Sequence, residues 1–369
     1  MTTRITKLRK LTLASRSSQI AVLSTALGLG HAAQAADSVT IYGIVDAGIT
    51  HVSNEGGKSN TLLDTGIMQG NRLGFRGVES LGGGLQAIFQ LENGFSLANG
   101  ALGQGGLLFG RQAWVGLSSD KAGSIKLGRQ YDFFVDTLEA YYTPTWSAGG
   151  YANNPLDNDR LSGQRVNNSV KYMSPSFGGA QMGAMYGFSN LAGNFNGPGR
   201  TYSFTANFTR GNFSTGAAYT EVSGTTLDIS SLVGSSKPVL IGGRYLRDWG
   251  IGASYALKPL TLYGVYTQAL YVANAGPNQM FRNYQTGFSW AIRPDIFAGP
   301  GYGLTTLGGN KYHQLNLTVD YFLSKRTDVY AQTVIQHATG EGATAAVISM
   351  AASSNQNQVL FRVGMRSKF

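Results

Sequence analysis

The sequence contains no cysteine, few prolines and few charged residues. The absence of cysteine excludes disulfide bonds and every metal site that is built on thiolates. Asp, Glu, Lys and Arg make up 13% of the residues, well below the roughly 25% that is usual in soluble domains. After residue 35, no apolar run approaches the roughly 20 residues that a membrane-spanning helix requires. Together with 51 glycines and 11% aromatic residues, this composition favours a membrane β-barrel over a soluble domain without deciding between them.

The first 35 residues have the pattern of a secretory signal peptide. Five basic residues and no acidic residue open the chain: Arg4, Lys7, Arg9, Lys10 and Arg16. A short apolar run at 20–30 and the small residues of Ala33-Gln34-Ala35 follow. That order predicts secretion to the periplasm, with cleavage after Ala35, and leaves residues 36–369 as a single domain.

The basic leader accounts for half of the net charge of the chain. The full chain carries +10, but residues 36–369 hold 24 basic and 19 acidic side chains, a net charge of +5. Such a mild excess gives little support to nucleic-acid binding, and we expect no nucleic-acid partner. No residue spacing indicates a cofactor or a metal ion, so we expect neither.

Polar and apolar residues alternate in several segments. In 202–209 and 315–323 nearly every second residue is apolar, and Phe361, Val363 and Met365 alternate with Arg362 and Arg366 near the C-terminus. Successive side chains of a β-strand point to opposite faces, so each segment has one apolar and one polar face. We expect the alternate apolar residues of these segments to face outward.

Connections between these segments are alternately short and long. The long ones are polar and rich in glycine, near 53–70, 93–108, 131–165, 189–200, 223–239, 272–280 and 339–357. Tight turns at one end and long loops at the other are typical of outer-membrane barrels. The segments between them predict an all-β fold, a closed antiparallel transmembrane β-barrel of 16 strands: 38–52, 71–78, 84–92, 109–118, 123–130, 166–174, 180–188, 201–209, 212–222, 241–257, 260–271, 281–292, 296–307, 311–323, 327–338 and 358–369.

Short motifs occur in a fixed order along this barrel domain. They are YGIVDAG at 42–48, LGFRGVE at 73–79, FGRQA at 109–113, LGRQY at 127–131, NNSVKY at 167–172 and YFLSKRT at 321–327. With them, the stretch from Val39 to Phe369 resembles the sixteen-stranded trimeric general porins of Gram-negative bacteria, in particular their β-proteobacterial branch. The resemblance implies an outer-membrane homotrimer through which small hydrophilic solutes and ions diffuse. It also implies that the third long loop folds into the lumen as a constriction.

The third long connection, about 131–165, is also the longest, and a stretch of this length without strands usually has a function. Its acidic residues are Asp132, Asp136, Glu139, Asp157 and Asp159. The family motifs place a basic wall opposite: Arg72, Arg76, Arg111, Arg129, Arg165 and Lys171. Opposed rows of charge orient polar solutes and bias ion flow, and the basic excess predicts a weak anion preference. Simple alternation with Ala113 and Leu127 would instead turn Arg111 and Arg129 outward.

Phe369 ends an amphipathic last strand with an aromatic side chain. It resembles the signal by which the barrel-assembly machinery recognises its substrates. Further partners implied by the family are outer-membrane lipid and lipopolysaccharide.

Other functions are compatible with parts of the sequence. A substrate-specific porin would need a continuous aromatic track in the lumen, whereas alternation places most aromatic residues on the lipid side. A hydrolase embedded in the barrel could use His51, His313 or His337, but no signal identifies a nucleophilic serine. A secreted β-sandwich adhesin would have a polar outer face in place of an apolar belt. We therefore expect a general porin and no enzyme.

Overall fold

The structure, a computed structural model, describes residues 37–369. The predicted signal peptide at 1–35 lies outside the described residues. Nineteen strands form one sheet. Their bounds are β1 Ser38–Glu55, β2 Lys58–Thr65, β3 Arg72–Gly82, β4 Leu85–Gly94, β5 Gln112–Ser119, β6 Gly123–Tyr131, β7 Arg165–Met173, β8 Ala180–Gly187, β9 Thr201–Arg210, β10 Phe213–Ser223, β11 Thr226–Asp228, β12 Leu240–Leu257, β13 Leu260–Ala273, β14 Gln279–Arg293, β15 Ile296–Ala298, β16 Gly301–Leu307, β17 Asn310–Phe322, β18 Thr327–Thr339 and β19 Asn357–Lys368.

The sheet closes on itself because the first and last strands pair. β1 runs antiparallel to β19, with nine residue pairs from Ile44 opposite Lys368 to Val52 opposite Leu360. In three places, two consecutive strands pair with different parts of the same neighbouring strand and therefore count as one strand of the barrel. β2 and β3 both pair with β1, β10 and β11 both pair with β12, and β15 and β16 both pair with β14. The nineteen strands therefore occupy sixteen positions around the barrel, and the predicted closed antiparallel barrel of 16 strands is confirmed.

Side chains on the outer face of the barrel are apolar and exposed. Leu317 is 41% exposed, whereas its neighbours Asn316 and Thr318 are buried on the inner face. The same alternation distinguishes exposed Phe204 from buried Ser203 and Thr205. A soluble protein would bury the apolar face, so this reversed pattern is that of a barrel surrounded by lipid. The predicted outward facing of 202–209 and 315–323 is confirmed.

Helical structure is confined, within the described residues, to one long connection. It consists of α1 Phe133–Leu138, α2 Thr143–Trp146 and 3₁₀ turns at Glu139–Tyr141, Gly149–Ala152 and Pro155–Asp157. Among residues 37–369, no helix combines the length and the apolar character needed to cross a membrane.

Two of the predicted long connections contain strands. The connection predicted at 53–70 includes β2, which pairs with β1 beyond a turn at Gly56 and Gly57, both with positive φ. The connection predicted at 223–239 includes the three residues of β11. Both strands lie in connections whose sequence is mainly polar, so the alternation that marks the other strands is not evident there.

Candidate functional site

Residues 132–164, called the inner segment here, lie inside the barrel. The first part of the segment bonds to side chains of β9. The Phe133 amide donates to the Ser203 hydroxyl at 3.0 Å, and the hydroxyls of Thr137 and Thr205 are 2.7 Å apart. Because Ser203 and Thr205 face inward, α1 lies against the inner wall.

The middle of the inner segment packs against β14, β15 and β16. The Thr143 amide donates to Gln285 Oε1 at 2.9 Å, and the Ser147 hydroxyl donates to the Gly299 carbonyl. Trp146 stacks on Tyr263 with ring centroids 5.0 Å apart. A Cβ atom at Gly299 would overlap the Trp146 carbonyl oxygen, so this close approach requires glycine.

The last part of the inner segment is anchored by buried polar groups. The Asp159 carboxylate accepts hydrogen bonds from Thr267 at 2.5 Å, from Asn154 at 2.7 Å and from Asn283 at 3.3 Å. Tyr271 donates to the Asn158 carbonyl at 2.8 Å. The partners outside the segment belong to β13 and β14. The last part of the inner segment is therefore held against the same region of the barrel wall as its middle part.

The tip of the inner segment reaches the opposite side of the barrel, where β1 and β19 close the sheet. The Tyr151 hydroxyl donates to Asp64 and lies 3.3 Å from the Thr50 hydroxyl. Arg362, fully buried, pairs with both Asp46 and Asp64. The inner segment thus spans the lumen from the β9–β16 wall to the closing strands.

Beside the inner segment lies an open cavity of about 600 Å³. Its basic lining residues are Arg72, Arg111, Arg366 and Lys368, and its acidic ones are Glu139 and Asp320. Other parts of its lining come from Tyr131, from Trp146 of α2 and from Phe297 and Phe322 of the wall. The lining therefore mixes polar and apolar groups, and its charged side chains include more basic than acidic ones.

Two of the four basic groups are held by acids. Arg111 Nε lies 2.6 Å from Glu92 Oε1, and its Nη2 donates to the Tyr131 hydroxyl at 2.9 Å. Arg366 Nη2 lies 3.1 Å from Asp328 and 3.3 Å from Asp320. By contrast, Arg72 and Lys368 have no carboxylate within salt-bridge distance among residues 37–369. These two side chains are therefore the basic groups of the lining that no salt bridge holds, and Glu139 is the lining acid that no salt bridge holds among residues 37–369.

The predicted basic wall is only partly brought together. Arg72 and Arg111 line the cavity. Arg76 shares the inner face of β3 but lies nearer the short turns, over the ring of Tyr42 at 5.8 Å. Arg165 is outside the cavity lining, although its Nη2 donates to the Tyr131 hydroxyl at 2.8 Å. Lys171 is buried beneath α1, where it pairs with Asp136.

Arg129 does not belong to the basic wall. It shares a face of β6 with Ile125 and Leu127, which are exposed on the outside of the barrel. Near the end of the strand its guanidinium donates to the Gly110 carbonyl at 2.8 Å and to Asn167 Oδ1 at 2.5 Å. Although the register of β6 with β7 shifts at Arg129, its pairing with Ala113 of β5 keeps it on this face, and the placement of Arg129 in the pore is corrected.

Of the five acidic residues predicted in the constriction, only Glu139 lines the cavity. Asp132 caps α1 by accepting from the Val135 amide at 3.0 Å, and Asp136 pairs with Lys171. Asp157 accepts from the amide of Ser162 at 2.8 Å, while Asp159 anchors the segment as described above. Asp132, Asp157 and Asp159 therefore stabilise the inner segment, and their placement as constriction charges is corrected. Asp136 pairs with Lys171, and its side chain is 41% exposed, so its placement stays a prediction.

Three carboxyl groups of the inner segment, those of Glu139, Asp157 and Asp159, have a pKa above the usual range, because burial disfavours their charged form. The enclosure of Glu139 within the barrel raises its pKa, and nearby Asp136 raises it further, while the charge of Arg72 acts in the opposite direction. Burial, followed by the charge of Asp159, raises the pKa of Asp157 to about 7. The charge of the lumen wall at Glu139 therefore changes at a higher pH than that of a free glutamate.

Sequence reasoning missed Glu92, Asp320, Arg366 and Lys368. A signal was present for the last two, because Arg362, Arg366 and Lys368 form the polar face of the alternating last strand. No comparable signal identifies Glu92, since its role depends on Arg111, which lies 19 residues further along the chain.

The three histidines among residues 37–369 lie away from the cavity. His51 contacts the Thr61 hydroxyl at 2.9 Å, His313 the Tyr302 hydroxyl at 2.6 Å and His337 the Asn357 side chain at 2.7 Å. In the part of the chain that the structure describes, no three metal-ligating side chains come together.

Phe369 joins the last strand to the first. Its amide donates to the Gly43 carbonyl at 3.1 Å, and the Gly43 amide donates to the Phe369 carbonyl at 3.0 Å. The aromatic ring covers Gly43, where a Cβ atom would overlap it. The C-terminal residue is thus part of the closure of the barrel.

Comparison with known proteins agrees with this architecture. Residues 21–340 match the profile of the Gram-negative porin family. Outer membrane porin protein 32 of Delftia acidovorans is 29% identical over 93% of this chain and 97% of its own. A major outer membrane protein P.IB of Neisseria meningitidis serogroup B is 31% identical over 78% of this chain and 85% of its own. An outer membrane porin protein of Bordetella pertussis is 38% identical, although the match covers 46% of that relative and 44% of this chain.

Among solved structures, the anion-selective porin from Comamonas acidovorans is similar with a TM-score of 0.74 and 25% identity, over 90% of this chain and all of the other. The trimer form of OmpT from Vibrio cholerae shares the fold, with a TM-score of 0.67 and 15% identity over 90% of this chain and all of the other. From its sixteen-stranded lipid-facing barrel and these similarities together, the chain belongs to the Gram-negative porin family and is an outer-membrane porin.

Proposed function

We propose that this porin is a general diffusion channel with a weak to moderate anion preference, narrowed by the inner segment. The observation that carries the proposal is the charge of the cavity, with four basic and two acidic side chains in its lining. Like-sign charges around a water-filled constriction raise the local concentration of counter-ions. The structurally similar porin from Comamonas acidovorans is anion-selective, which supports the same preference here.

A general pore is favoured over a substrate-specific one by the distribution of aromatic side chains. Inside the barrel, Trp146 is stacked on Tyr263, and the two phenylalanines of the cavity belong to neighbouring strands. A sugar-binding track would require aromatic faces in succession along the path. The charged side chains of the lining instead fit passage without a dedicated binding site.

Liposome swelling and single-channel conductance test the general pore. We expect small neutral solutes to enter at rates that decrease with their size, and ohmic conductance without saturation. Saturable conductance that one sugar or dicarboxylate blocks at low concentration would contradict the proposal and favour a substrate-specific porin.

We propose further that the barrel works as a homotrimer in the outer membrane. The structurally similar OmpT of Vibrio cholerae has a trimer form, which supports this assembly. Lipid and lipopolysaccharide would surround the exposed apolar belt, and Phe369 would serve as the recognition signal for the barrel-assembly machinery. Migration as a trimer in unheated detergent gels is the expected result, and exclusive migration as a monomer in mild detergent would contradict it.

A further inference from the structure

Three arginines are gathered on the outer surface of the barrel, away from the lumen. Arg247 lies on β12 in the same outward row as exposed Trp249 and Ile251. It is directly opposite Glu221 of β10, which is itself opposite Tyr202 of β9. This row faces lipid, so none of these side chains belongs to the ion path.

A single carboxylate holds two of the arginines. Glu221 pairs with Arg200 at 2.5 Å and with Arg247 at 2.8 Å. The guanidinium of Arg200 also lies 4.4 Å from the centre of the Tyr202 ring. One negative charge between two positive ones fixes the positions of both guanidinium groups but cannot neutralise them.

The third arginine reaches the same surface through a β-bulge. Arg244 is the extra residue between Gly243 and Tyr245, where the register of β12 with β13 shifts. Its guanidinium lies 5.5 Å from the centre of the Tyr245 ring, and the guanidinium of Arg247 lies 4.4 Å from the same centre. Among residues 37–369, Arg244 has no carboxylate within salt-bridge distance, so the cluster carries a net charge of about +2.

The height of the cluster on the barrel identifies what it would meet. One row closer to the middle lie Phe204, Tyr219 and Trp249, aromatic residues of the kind that mark the membrane–water boundary. The cluster is at the ends of β9 and β12 that join long loops, which are the extracellular ends in outer-membrane barrels. At this level the outer leaflet presents its headgroups.

We propose that Arg200, Arg244 and Arg247 form a binding site for the phosphate of an anionic glycolipid headgroup in the outer leaflet. Guanidinium groups bind phosphate oxygens in pairs of parallel hydrogen bonds, and Glu221 and Tyr245 hold them in place before the lipid arrives. The acyl chains of such a lipid would lie along Tyr219, Trp249 and Ile251. This inference names the residues that would bind the lipid partner proposed above, and it does not depend on the ion preference of the pore.

The test measures lipid binding to the full chain in detergent, by native mass spectrometry and by titration of intrinsic tryptophan fluorescence. The probes are bisphosphorylated lipid A, the same lipid without phosphates, and inorganic phosphate. We expect the wild type to bind the phosphorylated lipid at least about tenfold more tightly than the dephosphorylated one. Equal binding of both lipids would overturn the proposal, as would complete competition by millimolar inorganic phosphate.

The variants locate the site. Arg244→Gln with Arg247→Gln should weaken binding of the phosphorylated lipid about tenfold and leave the channel conductance unchanged, because neither residue faces the lumen. The matched control, Arg210→Gln with Arg326→Gln, removes two exposed arginines at the short-turn end and should bind as the wild type does. Unchanged binding by the first pair, or equal loss in the control, would overturn the proposal.

A second variant tests the proposal if the variant with Arg244→Gln and Arg247→Gln does not fold into the membrane. Arg244→Lys with Arg247→Lys keeps both charges but cannot form the paired hydrogen bonds, so we expect several-fold weaker binding. Wild-type affinity in this folded variant would exclude the proposed phosphate geometry. A variant that loses lipid binding but keeps the wild-type ion preference would show that the lipid site and the pore function independently.

Discussion

Removal of the two basic charges of the cavity that no salt bridge holds should abolish its anion preference. Arg72 and Lys368 line the cavity without a carboxylate in salt-bridge distance in the described part of the chain, whereas Arg111 and Arg366 are paired with Glu92, Asp320 and Asp328. The double variant Arg72→Gln with Lys368→Gln therefore changes the charge of the lumen and leaves no buried acid unpaired. The barrel should assemble normally.

The expected size of the effect follows from Coulomb's law. In water, a unit charge about 4 Å from an ion contributes about 1 kcal/mol, which changes the local ion concentration about fivefold. The same charge attracts chloride and repels potassium, so two charges should change the preference by more than this factor at low salt. At 1 M salt, where the Debye length is about 3 Å, the difference between variant and wild type should largely disappear.

The assay is the reversal potential in planar bilayers under a tenfold KCl gradient centred on about 0.1 M. The control is Arg210→Gln with Arg326→Gln, which removes two charges outside the cavity. A double variant of Arg72 and Lys368 that retains the wild-type reversal potential would refute the reasoning. An equal shift in the control would refute it as well, because the effect would then come from the overall charge.

Three more predictions concern the supports of the cavity. Arg111→Gln leaves the buried Glu92 carboxylate without its charged partner and should lower the free energy of unfolding by about 3–5 kcal/mol, partly restored by adding Glu92→Gln; chemical unfolding in detergent measures both. Gly299→Val should displace the inner segment from Trp146 and change the single-channel conductance, whereas Gly309→Ala, which has open space, should not. Because enclosure raises the pKa of Glu139, acidification should protonate it at a higher pH than a free glutamate and so increase the anion preference. The reversal potential measured against pH should show this step in the wild type and lack it in Glu139→Gln.

The fold was predictable because barrel strands have a two-residue period that the sequence displays directly. Leu315, Leu317 and Val319 alternate with polar residues, and the structure places the first set outward. The strands that were missed, β2 and β11, are short, and the sequence of β2 carries no strict alternation of polar and apolar residues.

The site was less predictable because the roles of its charges depend on residues far away in sequence. Asp159 resembles a constriction acid until Thr267 and Asn283, more than 100 residues later, are seen to bond to it. Lys171 likewise belongs to the wall by alternation, but α1 covers it. Arg129 differs, because the alternation with Leu127 already indicates its outward direction.

The sign of the wild-type reversal potential tests the central claim most directly. At low salt, with a tenfold KCl gradient, the excess of basic side chains around the cavity predicts that chloride passes more readily than potassium. A reversal potential of the opposite sign, showing a preference for potassium, would contradict the assignment of Arg72 and Lys368 as the charges that govern the path.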